Sequence, residues 1–60
     1  MRVVRPKRVL LVEDNPDTNE ALVGFLTLAG FDVVPAYDGA EALALLRGGR
    51  RPDVIVLALM

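Results

Sequence analysis

Glu13 and Asp14 are adjacent carboxylates that follow the apolar run Val9-Leu10-Leu11-Val12 and precede Asn15-Pro16. Two acids crowded together repel unless a cation or hydrogen-bond donors offset them. A metal ion is the natural counterweight. The remaining inventory narrows the chemistry further. The 60-residue chain contains no His, Cys or Ser, which excludes the commonest general base, any thiolate or disulfide, and Ser-based nucleophilic catalysis. Any site must therefore be built from carboxylates, Thr and Tyr hydroxyls and backbone groups. Seven basic and eight acidic side chains leave a net charge of −1, which argues against a general nucleic-acid or membrane-surface binder.

Strand and helix signals position the two acids. Val9 to Val12 reads as a strand buried on both faces, with the acids at its carboxyl end. Asn15-Pro16-Asp17 is a helix start, with Asn as N-cap, Pro in the first turn and an acid facing the helix dipole. The helix is predicted from about Pro16 to Ala29, with Ala21, Leu22, Phe25, Leu26 and Ala29 facing a sheet, Gly24 at a packing position and Gly30 ending it. Thr18 and Asn19 read as solvated helix surface. Phe31 to Ala36 forms a second strand, which Pro35 either places at a sheet edge or ends. Asp38-Gly39-Ala40-Glu41 fits a capping box and opens a helix from Gly39 to Arg47, with Ala40, Leu43, Ala44 and Leu46 as its buried side. Val54 to Met60 is a third, wholly apolar strand.

The order strand, helix, strand, helix, strand calls for parallel pairing through right-handed crossovers, an α/β fold. In a flavodoxin-like sheet of order 2-1-3 this is a partial βαβαβ unit, and ligands bind in the crevice at the carboxyl ends of strands one and three. Residues 1–6 read as a basic, solvated leader and 7–60 as one small folded unit, marginally stable at this size. No apolar run approaches the roughly 18 residues of a membrane span, and no cleavable signal is present, so a cytoplasmic location is expected.

Several segments in this order resemble a known family: the strand ending in Glu13-Asp14, the Asn15-Pro16 helix start, Gly30-Phe31, Tyr37-Asp38-Gly39-Ala40-Glu41-Ala42-Leu43, and Pro52-Asp53-Val54-Ile55-Val56-Leu57. From Lys7 to Met60 the chain is similar to the N-terminal half of a response-regulator receiver (CheY-like) domain of two-component systems. The resemblance implies a domain that accepts a phosphoryl group from a phosphohistidine onto an aspartate, assisted by Mg²⁺. Its metal ligands carry over to Glu13, Asp14 and the backbone carbonyl of Met60. The acceptor segment, Val-Leu-Asp-Leu-Met in the family, reads Val56-Leu57-Ala58-Leu59-Met60 here.

A methyl group is neither a nucleophile nor a metal ligand, so Ala58 forms no acyl phosphate and supplies no oxygen. Asp53 lies five residues up the strand, roughly 17 Å away, at the opposite end of the sheet. The chain is therefore expected to be no enzyme, to bind Mg²⁺ weakly, and to belong with a sensor histidine kinase or other phosphorelay protein, with nucleic acid reached only through an output domain absent from this sequence. The family's later strands and helices, with their switch Thr or Ser and phosphate-pairing Lys, are also absent. Without a fourth strand, Val54 to Met60 becomes an exposed apolar edge. The alternative reading follows from it: a self-associating half-domain acting only in protein–protein contact through that segment.

Overall fold

In a computed structural model, which describes residues 6–58, the chain alternates strand and helix: β1 (Arg8–Val12), α1 (Pro16–Leu28), β2 (Asp32–Ala36), α2 (Gly39–Arg47) and β3 (Val54–Leu57). The strands form one parallel sheet of order β2-β1-β3. β1 is central, and Val9, Leu10, Leu11 and Val12 are all buried, as an uninterrupted apolar run between two neighbours requires. Pro35 sits opposite Leu11 on β2, at the sheet edge where its missing N–H leaves no ladder bond unmade.

On one face Leu10 and Val12 pack with Ala36 of β2 and Ala42 of α2, flanked by Val34, Leu45 and Leu46. Strand alternation turns Val9 and Leu11 to the other face, where α1 lies against β1 and β2. Neither helix packs on β3. Its side chains are left open, with Ile55 at 49% and Leu57 at 67% exposure.

The helix termini follow their sequence signals. Asn15 Oδ1 accepts from Thr18 N–H at 3.0 Å, and Asp38 Oδ1 from Glu41 N–H at 2.7 Å. Both helices end in a glycine at positive φ, Gly30 at 97° and Gly49 at 100°. At the first, Gly30 N–H donates to Thr27 O and Phe31 N–H to Leu26 O. At the second, Gly49 N–H donates to Leu46 O and Arg50 N–H to Leu45 O. This pairing satisfies the last helix carbonyls and reverses the chain toward the next strand.

The helix faces differ from the sequence expectation. α1 turns Asn19, Leu22, Val23 and Leu26 inward, while Ala21, Phe25 and Ala29 are exposed. α2 turns Ala42, Leu45 and Leu46 inward and leaves Ala40, Leu43 and Ala44 exposed. Gly24 is exposed, and a methyl group there would meet nothing within 4 Å, so it is no packing position. The second strand starts at Asp32 rather than Phe31. Most of the leader (residues 1–5) and the end of the third strand, Leu59 and Met60, lie outside the described residues.

Candidate functional site

The carboxyl end of the sheet brings together the residues singled out in the sequence. Val12 pairs with Leu57, and Ala58 N–H donates to Val12 O at 3.0 Å. Ala58 therefore lies level with Glu13 on the adjacent strand, about 5 Å away across the ladder, and Asp14 follows at the tip. On the other side Glu13 N–H donates to Ala36 O at 3.0 Å, tying the end of β1 to the end of β2.

The two acids have different surroundings. Glu13 is 1% exposed, and its Oε2 accepts from Asn15 N–H at 2.9 Å. Its carboxylate thus helps shape the turn into α1. Asp14 is exposed. Asn19, expected on the helix surface, is instead fully buried. Its Nδ2 donates to Glu13 O at 3.1 Å and Ala36 O at 3.0 Å, while its Oδ1 has no partner among the described residues. Sequence reasoning missed this residue. The signal was its spacing: position 19 shares a helical face with Leu22, Val23 and Leu26, and a polar side chain on a buried stripe must find backbone to bond.

Among the described residues no group of three or more His, Cys, Asp or Glu side chains is placed to hold a metal ion. The tip of β1 carries the exposed Asp14 carboxylate and that of Glu13, whose Oε2 already accepts from Asn15 N–H, and the methyl group of Ala58 adds no oxygen. That donor set fits only a largely hydrated Mg²⁺, an ion that keeps several waters and accepts one or two carboxylates. Met60, the third position named by the resemblance, lies outside the described residues.

Asp53 is at the far end of the sheet, as its spacing requires. Its Oδ2 accepts from Arg8 N–H and its own N–H donates to Arg8 O, both at 2.8 Å, a clip at the start of β1. Nearby a cleft of about 250 Å³ opens among Arg8, Asp32, Arg50, Arg51 and Pro52. The amino end of the sheet is thus rimmed by arginines and the carboxyl end by acids.

An acid-tipped central strand in a parallel 2-1-3 sheet defines a partial flavodoxin-like α/β unit. Comparison with known proteins finds response regulators among the relatives of this chain. It is 48% identical over 54 residues to the transcriptional regulatory protein PrrA of Mycobacterium tuberculosis, covering 90% of this chain and 23% of that protein. It is 42% identical over 55 residues to the response regulator MprA of a Mycobacterium species, covering 92% and 24%. It is 41% identical over 54 residues to the DNA-binding response regulator MtrA of Mycolicibacterium smegmatis, covering 90% and 23%. The chain spans about a quarter of the length of these relatives. No protein-family model and no solved structure matches it. Among the described residues no helix is long and apolar enough to cross a membrane.

Proposed function

We propose that this chain is a receiver segment disabled for phosphotransfer: it keeps the acid tip of the site and lacks the nucleophile. The observation that carries this reading is the position of Ala58, level with Glu13 and bonded through its N–H to Val12 O. Phosphoryl transfer to a carboxylate needs an oxygen nucleophile at that point, and a methyl group has none. The segment acts as a non-catalytic binding module. Its partners are those of the parent family, a sensor histidine kinase or another phosphorelay protein, and DNA is engaged only by an output domain elsewhere in proteins such as MtrA. Glu13 and Asp14 hold a hydrated Mg²⁺ weakly, and a bound ion there would neutralise the acid tip.

Two measurements test the reading. Incubated with acetyl phosphate and Mg²⁺, the chain should show no phosphoryl adduct by mass spectrometry; an adduct on any aspartate would overturn it. In a Mg²⁺ titration, Ala58→Asp should tighten binding at least tenfold, because a third carboxylate completes the oxygen set. Equal affinities in the two proteins would remove the metal site from the proposal.

A further inference from the structure

We propose that Asn19 is a positioning residue for the acid tip: its side-chain amide fixes the backbone from which the Glu13 and Asp14 carboxylates extend. This role rests on the reading of that tip as a weak Mg²⁺ site. Asn19 is at 0% exposure and Glu13 at 1% in the single chain. A buried amide is costly unless it is bonded. Both bonds of Asn19 go to carbonyls at the carboxyl ends of neighbouring strands, Glu13 O of β1 and Ala36 O of β2. One planar NH₂ group supplies both protons, so satisfying the two carbonyls together sets where α1 stands against the strand ends.

Glu13 is held at three points. Its N–H donates to Ala36 O, its carbonyl accepts from Asn19 Nδ2, and its Oε2 accepts from Asn15 N–H. The carbonyl matters most for Asp14. It belongs to the rigid peptide plane that joins Glu13 to Asp14, so the bond from Asn19 fixes that plane and with it the direction in which the Asp14 side chain leaves β1. Asp14 itself is exposed.

The bonds are not interchangeable. Ala36 O keeps Glu13 N–H when Asn19 is lost, whereas among the described residues Glu13 O keeps no donor. Removing the amide therefore frees the plane at the tip and leaves the bond between the ends of β1 and β2. Mg²⁺ demands near-ideal octahedral geometry and takes only one or two carboxylates, so two acids on a rotating plane suit it poorly. Packing alone does not account for an amide here. Asn19 Oδ1 is buried with no partner among the described residues, a cost that an apolar side chain would avoid.

Two readouts on the 60-residue chain test the role. The nitrogen-15 order parameter of the Asp14 N–H reports motion of the plane, and in Asn19→Ala it should fall by at least about 0.1. In Leu45→Val, which thins the core on the face of the sheet opposite α1, it should not change. In a Mg²⁺ titration of the same samples Asn19→Ala should bind at least fivefold more weakly, and Leu45→Val within twofold of the unmodified chain. Should Asn19→Ala fail to fold, Asn19→Ser, which keeps a single donor, replaces it with changes in the same direction. A chain that takes up no Mg²⁺ removes the metal reading, and the Asp14 order parameter alone then decides the role of Asn19. Equal changes in the variants at positions 19 and 45, or an Asp14 N–H as rigid without the amide as with it, would overturn the proposal.

Discussion

Asn19 donates from Nδ2 to the carbonyls of Glu13 and Ala36, the groups that end two neighbouring strands. Ala36 O keeps a second donor in Glu13 N–H, but among the described residues Glu13 O has none besides Asn19. Asn19→Ala should therefore leave a buried carbonyl unpaired and destabilise the chain by about 1–2 kcal/mol, less than two full bonds because the orphaned Oδ1 disappears as well. Urea unfolding measures this, and a midpoint unchanged by the substitution would show that the orphan acceptor cancels the bonds. Ala58→Asp should act in the opposite sense to its effect on Mg²⁺ affinity. A third carboxylate beside Glu13 and Asp14 adds repulsion, so the variant should be less stable in metal-free buffer by roughly 1 kcal/mol and recover with Mg²⁺. Equal stability of the two proteins without metal would mean that the three positions are too far apart to interact. The meeting of Glu13, Asp14 and Ala58 was legible in the sequence because strand order alone places the carboxyl ends of β1 and β3 together. The burial of Glu13 was not, since it depends on a bond from its own turn, Asn15 N–H to Oε2, that no pattern of residue types encodes.

The helices and strands were legible in type and nearly in extent because their ends carry local chemistry: Asn15 and Asp38 cap, and Gly30 and Gly49 reverse the chain. The inward faces were not. α1 carries apolar residues at 21, 22, 23, 25, 26 and 28, round more than half of the helix, so hydrophobicity leaves its rotation open. The bonds of Asn19 set it, turning Leu22, Val23 and Leu26 in and Phe25 out. The same ambiguity makes two glycines respond oppositely to alanine. Gly24 is exposed in a helix interior with nothing within 4 Å of an added methyl group, so Gly24→Ala should stabilise by about 0.5–1 kcal/mol. Gly30 sits at φ 97°, where a side chain is strained, so Gly30→Ala should destabilise by about 1 kcal/mol despite equally open space. Thermal or urea unfolding of the pair separates backbone conformation from packing, and changes of the same sign would contradict the assigned helix end.

At the scale of the whole molecule, the parallel βαβαβ order was readable because alternating strands and helices of this length admit few connections. How far each helix reaches across the sheet was not readable, and that reach decides what is covered. Both helices sit over β1 and β2, so among the described residues the buried apolar side chains are Val9, Leu10, Leu11, Val12, Ala36 and Ala42, while Phe25, Leu28, Leu43, Ile55 and Leu57 stay exposed. A core this small leaves a single chain marginally stable. Leu11→Ala, at a position of 0% exposure in the central strand, should therefore destabilise it by about 2–4 kcal/mol and unfold much of the population at about 25 °C. A circular dichroism spectrum unchanged by the substitution would mean that the core does not rest on β1.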